Sequence, residues 1–197
     1  MGSKEPSKGN PKVPFPRVPS VSTAKRTPPL EVTRRLEIGD CVADVAWSPD
    51  GKTLAVASLG GPILLFDGLS GRLRHELAGH PLGTSALAWH PDGRILASVG
   101  MDGIVRRWLV WTGDEYCALS VGKEWAGQVA FSDSGTYLAA AAGKRVRCWD
   151  MKGTVLHDWE DHPSTVTALR WRPGVDEVAT AVYGGLRRWQ PHAAARQ

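Results

Sequence analysis

Three cysteines, three methionines, three phenylalanines and three tyrosines are all that the 197 residues hold of those types. The cysteines, at 41, 117 and 148, are odd in number and lack the close CxxC spacing of zinc sites or redox pairs. Each lies in or beside an apolar run and is expected to be a buried thiol of a reducing compartment. No stretch approaches the ~20 apolar residues of a membrane span, and the N-terminus lacks the apolar core of a secretory signal, so a cytoplasmic location is expected. No segment has the pattern of a useful helix. No Gly-rich loop ends in the Lys-Ser/Thr pair that cradles nucleotide phosphates, and His75, His90, His157 and His192 stand singly, as surface residues rather than metal ligands. Asp158, Glu160 and Asp161 are expected to form a solvated turn. No cofactor and no metal is therefore expected.

What the chain does have is tryptophan, nine of them, and a basic balance of +4. The charge sits in one place. Residues 1–29 carry a net +5 from Lys4, Lys8, Lys12, Arg17, Lys25, Arg26 and Glu5, which leaves −1 for the rest. A nearly neutral folded part lacks the clustered cations that displace phosphate counterions, so no nucleic-acid binding is expected of it. Seven of the fourteen prolines also fall in residues 1–29. Residues 1–30 are read as a disordered Pro-rich basic tail, because they cannot bury enough surface to offset the entropy of ordering. The segment 11–19 has PxxP spacing, which in a polyproline II conformation fits an aromatic groove of a partner; a plain linker is the simpler reading.

The remainder repeats. Segments 42–51, 85–93, 127–135 and 166–174 align on Trp47, Trp89, Phe131 and Trp171, at intervals of 42, 42 and 40. A second series, Phe66, Trp108, Trp149 and Trp189, keeps intervals of 42, 41 and 40. Within each unit, short alternating apolar runs are separated by turns, a β pattern throughout. In the second unit strands are expected over Ser85 to His90, Ile95 to Val99, Ile104 to Leu109 and Glu115 to Val121, with outer-strand counterparts at Arg72 to Leu77 and Thr154 to Trp159.

The closing segments LLFD (64–67), RRWL (106–109), RCWD (147–150) and RRWQ (187–190), with Gly79-His80 and the near match Asp161-His162, resemble the WD-repeat β-propeller family; Trp-Asp is complete only in the third. The resemblance covers about residues 31–191 and implies an all-β fold of four WD-type blades, approximately 39–77, 78–119, 120–160 and 161–191, as part of a larger ring. Residues 31–38 are expected to be an orphan strand that completes the last blade. Propellers usually have roughly 4 to 8 blades. An incomplete propeller, a dimer forming an eight-bladed ring and a closed four-blade ring all stay open, and an open arc predicts self-association through exposed blade edges.

His80, Ser98 and Asp102 have the residue types of a hydrolase triad. The resemblance implies another role: a buried hydrogen-bond network completed by Trp108, with no oxyanion hole or GxSxG elbow nearby. Gly60, Gly143 and Tyr183-Gly184-Gly185 replace the turn Asp in the other units, so the full network is expected in unit two alone. The family implies a non-catalytic protein–protein interaction scaffold that uses the ring's rim and top face. Trp125 is the leading contact candidate, with Met101, Lys144, Tyr183 and Leu59 on the second-strand turns. A truncated remnant with no function of its own and an enzyme with a central-channel site are the alternatives. Inward carboxylates or histidines at one level would favour the enzyme.

Overall fold

A computed structural model describes Val32 and residues 34–160 and 162–191. The chain divides into two units, Met1–Arg35 and Leu36–Gln197. The tail and its PxxP segment, like Glu31, Thr33, Asp161 and His192, lie outside the described residues. All the described strands belong to the second unit.

Blade one is β1 (Val42–Trp47), β2 (Thr53–Ser58), β3 (Ile63–Asp67) and β4 (Leu73–Leu77). Blade two is β5 (Thr84–Trp89), β6 (Ile95–Gly100), β7 (Ile104–Leu109) and β8 (Glu115–Ser120). Blade three is β9 (Ala126–Phe131), β10 (Tyr137–Ala142), β11 (Arg145–Asp150) and β12 (Val155–Trp159). Blade four has β13 (Ala168–Trp171), β14 (Val178–Val182) and β15 (Gly185–Trp189). Each sheet is an antiparallel meander in chain order, with three strands in the fourth. Among the described residues, Val32 and residues 34–38 carry no strand and β15 is the last strand of its sheet, while Glu31 and Thr33 of the expected closing strand lie outside them. A pattern of alternating apolar residues gives a strand only where a neighbour satisfies its ladder.

The first hairpin of every blade is set by the same turn. Ser48, His90, Ser132 and Arg172 donate their N–H to the carbonyl five residues on, at 2.8–2.9 Å. In blades one and three the serine hydroxyl also accepts the N–H of Thr53 and Tyr137, at 2.9 and 3.0 Å. This fixes register locally, and register decides which side chains face which neighbour.

The cores lie between the blades. One joins Ala55, Ala57, Ile63 and Leu65 of blade one to Leu87, Leu96 and Trp108 of blade two. The next joins Ala97, Val99 and Val105 to Val129, Phe131, Leu138 and Trp149, and the third joins Tyr137, Val146 and Cys148 to Leu169, Trp171 and Val178. Second strands of blades two and three are therefore covered on both faces and read as apolar runs, the extreme being Ala139–Ala142 in the fully buried β10. Outer strands β4, β8 and β12 are made of exposed and half-buried residues, except for the buried Leu77 at the end of β4.

Polar staples cross the same interfaces. Trp89 Nε1 donates to the carbonyl of Ala46, and Trp171 Nε1 to that of Ala130, each at 3.0 Å. His90 Nε2 pairs with the Gly135 carbonyl at 3.0 Å and His157 Nε2 with that of Pro191 at 2.5 Å. These two histidines, like His75, are thus half-buried rather than surface residues. Trp47 and Leu186, which a closed four-blade ring would press into one interface, are 55% and 72% exposed.

Candidate functional site

His80 is delivered by the loop between β4 and β5, Ser98 by β6, Asp102 by the turn after it and Trp108 by β7. The structure brings the four together. Trp108 Nε1 donates to Ser98 Oγ at 2.9 Å, Ser98 Oγ and His80 Nε2 are 2.8 Å apart, and His80 Nδ1 and Asp102 Oδ1 are 2.8 Å apart. One assignment of protons satisfies all of it: the indole donates to the hydroxyl, the hydroxyl to a neutral imidazole, and the imidazole N–H to the carboxylate. Asp102 also accepts from Ile104 N–H at 3.2 Å and Arg106 Nη2 at 3.0 Å. Two glycines make the room. A Cβ on Gly79 would fall 1.8 Å from the Gly61 carbonyl oxygen, and one on Gly100 would fall 2.6 Å from the His80 ring.

Burial holds the His80 imidazole below its ordinary pKa of 6.5, outweighing the Asp102 bond and charge that favour the cation. Burial pushes the Asp102 carboxyl the other way, yet hydrogen bonds from His80 and Arg106 leave it net lowered. The order Ser–His–Asp is that of a hydrolase, but Ser98 Oγ is fully buried beneath the Trp108 indole, with an N–H on its lone pair. No substrate carbonyl can reach it.

A shorter version of the network exists in blade four. His162 Nε2 lies 3.0 Å from Thr180 Oγ1, which accepts from Trp189 Nε1 at 3.0 Å. The expectation that unit two alone has such a network therefore holds only for the version with the Asp. The signal was in the spacing, because His162 to Thr180 and His80 to Ser98 are both 18 residues apart. In blade three Val121, Ala140 and Trp149, all buried, occupy the three positions without hydroxyl or imidazole. In blade one the position of Ser98 holds Val56, and a separate bond joins Asp40 to Ser58 Oγ, with Asp40 also accepting from Gly60 N–H at 2.6 Å. The Ser58 bond is the main reason its carboxyl is lowered.

Leu59, Met101, Lys144, Tyr183 and Trp125 are all exposed at one end of the blades. Four of these turns are pinned to the loop that enters their own blade. Leu59 N–H donates to Cys41 O at 2.9 Å, Met101 N–H to Gly83 O at 3.2 Å, Gly143 N–H to Trp125 O at 3.3 Å and Tyr183 N–H to Ser164 Oγ at 2.9 Å. Trp125 is 59% exposed and its indole donates to Ser85 Oγ of blade two at 2.6 Å.

The innermost strands of all four blades line a groove of about 530 Å³. Asp44 is the carboxylate among its lining residues; no histidine joins it, and Arg170, Gln128 and Ser85 supply the other polar side chains. No group of three or more His, Cys, Asp or Glu among the described residues is arranged to hold a metal.

Three further expectations need correction. Cys41 is exposed and Cys117 half-buried; only Cys148 is buried, its thiol pushed up to about 12 by desolvation. The sequence hides the difference, since Cys41 precedes β1, a sheet-edge strand with a blade against one face only. Asp158 is in β12, not a turn, where Arg145 and then Arg147 hold its carboxyl down to about 2. Glu160 pairs with the same Arg145 at 2.5 Å.

The comparisons agree with this architecture. The model of the WD domain, G-beta repeat matches residues 33–66, 71–108 and 122–150, about half of the chain. The chain is 31% identical over 174 residues to "Cell division cycle 20.1, cofactor of APC complex" of Arabidopsis thaliana, covering 78% of this chain and 36% of that protein. It is 46% identical over 46 residues to "WD repeat-containing protein VIP3" of the same plant, covering 23% and 14%. It thus spans about a third or less of these relatives. Among solved structures, the mitotic checkpoint complex contains a chain that superposes with a TM-score of 0.72 at 23% identity, over 80% of this chain and 51% of that one. The RRP9 WD40 repeats superpose with a TM-score of 0.71 at 20% identity, over 76% and 48%. The matched repeats, the paired aromatic series and the four stacked meanders together place this chain in the WD-repeat β-propeller family.

Proposed function

We propose that the chain is a non-catalytic protein-interaction scaffold whose partner docks on the end that carries Leu59, Leu82, Met101, Trp125 and Tyr183. The observation that carries this reading is the exposure of those five large side chains, from 41% at Met101 to 90% at Tyr183, on turns and loops held by backbone hydrogen bonds. Apolar groups presented on pre-ordered loops bind with little further loss of entropy. The opposite end exposes Leu69, Trp111 and Val175, each on a separate turn. The names of the similar proteins point the same way: one is a cofactor of a complex, another a member of a checkpoint complex. A catalytic reading has little to stand on, because the triad-like serine is buried and the groove offers a single carboxylate.

Site-specific photo-crosslinking in cells tests it with a matched control. A photoreactive phenylalanine analogue replaces Tyr183, 90% exposed, or Leu69, 91% exposed at the other end. A discrete protein adduct from position 183 and none from 69 is expected. Adducts from 69 alone, or the same adducts from both, would refute docking at this end.

A further inference from the structure

The seams between the described blades share one backbone acceptor. Val110, Met151 and Pro191 each stand two residues after a closing tryptophan, Trp108, Trp149 or Trp189. In two seams a planar side chain of the preceding blade reaches that residue's carbonyl. Arg107 Nη1 donates to Met151 O at 2.9 Å, with its guanidinium 5.0 Å from the centre of the Tyr116 ring. His157 Nε2 donates to Pro191 O at 2.5 Å, while its ring stacks on Trp159 at 5.0 Å. Each of these plugs joins a hydrogen-bond donor to a flat body covered by an aromatic ring.

The seam between blades one and two has no such plug. Leu65, just before Phe66, holds the place of Arg107, and His75, paired with Leu65 across the sheet, holds that of His157. Leu65 has no donor to offer. Among the described residues the His75 ring makes no hydrogen bond and the Val110 carbonyl accepts none. A cavity of about 580 Å³ opens between Leu65, Arg74 and His75 of blade one and Arg94, Val110 and Trp111 of blade two. Small-molecule sites are typically ~300–1,000 Å³. Leu65 is 0% exposed and Trp111 77% exposed, so the cavity runs from a buried floor to an open aromatic edge. Its blade-two wall is pinned, with Val110 N–H donating to Arg94 O at 3.1 Å and Gly113 N–H to Leu109 O at 2.8 Å. Gly113 lets that turn close over His75, since a Cβ there would fall 3.2 Å from His75 Nδ1.

The charges narrow what fits. Arg74 is held by Asp67, which largely offsets its charge. Arg94 forms no salt bridge and no side-chain hydrogen bond among the described residues, beyond a longer-range attraction to Asp92. One cation is left to meet one anionic group.

We propose that this cavity binds a small flat monocarboxylate that carries a hydrogen-bond donor at its far end. The donor meets the Val110 carbonyl as Arg107 and His157 meet theirs, the ring lies over Leu65 beside Trp111, and the carboxylate accepts from Arg94 and His75. The site is independent of the partner-docking end, which is formed by the other set of turns.

Titration calorimetry of the full chain with 6-hydroxy-2-naphthoate tests this, beside two altered probes. The first, 2-naphthoate, lacks the donor; the second, 6-hydroxy-2-naphthamide, lacks the charge. Saturable binding of one hydroxy acid per chain is expected, with each altered probe about tenfold weaker, as for the loss of one hydrogen bond to a buried or charged group. Arg94→Gln and Trp111→Ala change exposed residues, so both variants are expected to fold, as circular dichroism checks. Arg94→Gln is expected to abolish the preference for acid over amide, and Trp111→Ala to weaken all three probes alike. Absence of saturable binding, equal binding of the hydroxy acid and either altered probe, or an Arg94→Gln chain that keeps its preference for the acid would overturn the proposal.

Discussion

Replacing Ser98 with alanine removes one oxygen and strands two neighbours. The Trp108 indole N–H loses its acceptor and His80 Nε2 its donor, both in a site where His80 and Ser98 are fully buried and Trp108 is 2% exposed. Each stranded group costs about 1–3 kcal/mol, so Ser98→Ala is expected to lower stability by about 2–6 kcal/mol. Blade three supplies the control. It packs Val121, Ala140 and Trp149 at the same positions, with Gly143 in place of the turn Asp. The triple change His80→Val, Ser98→Ala, Asp102→Gly copies that arrangement, removes the partners together, and is expected to cost no more than Ser98→Ala alone. Urea unfolding of the full chain, followed by tryptophan fluorescence and far-UV circular dichroism, measures both shifts. Ser98→Ala within about 0.5 kcal/mol of the parent, or a triple variant as costly as the sum of its single changes, would falsify the claim that the four side chains act as one unit.

The same network sets an acid limb. Because burial lowers the His80 pKa below 6.5, the unfolded chain binds a proton there that the native chain does not, so stability falls as pH drops from 6.5 toward the lowered native value. The lowered Asp102 adds a further loss below its ordinary value of 3.8. Melting temperature against pH should therefore decline less steeply below 6.5 in the triple variant than in the parent; equal slopes would exclude His80 as the source. Thiol labelling under native conditions should modify Cys41 at once and leave Cys148 untouched until the chain unfolds, since only Cys41 is exposed and the Cys148 thiol is pushed up to about 12. Mass spectrometry of the labelled peptides resolves the three sites.

The repeat and the strand order were legible in the sequence because the two aromatic series mark the same structural step in every blade. His80, Ser98, Asp102 and Trp108 were legible for the same reason, since each residue type matches a family position. The blade-four network was not, because Thr180 stands in for serine and its turn has no Asp. Over 34–38 alternation is not matched by a strand, because it records which side chains suit a strand, while the partner strand that makes one is a matter of tertiary pairing. The staples at His90 and His157 were hidden for another reason. Their acceptors are backbone carbonyls, of Gly135 and Pro191, and a carbonyl leaves no mark on residue type.

Four sheets share three cores, because each core is built from the facing sides of two neighbours. Among the four described blades, two and three are clamped on both faces, and one and four on one. In a linear array with nearest-neighbour coupling, stability is then graded along the chain rather than uniform. Thermal opening starts at the outer sheets, and the amides of β6 and β10 are the last to exchange with solvent. A substitution at a blade face weakens two sequence repeats at once, so in this protein the repeat seen in the sequence and the unit that unfolds are offset by half a blade.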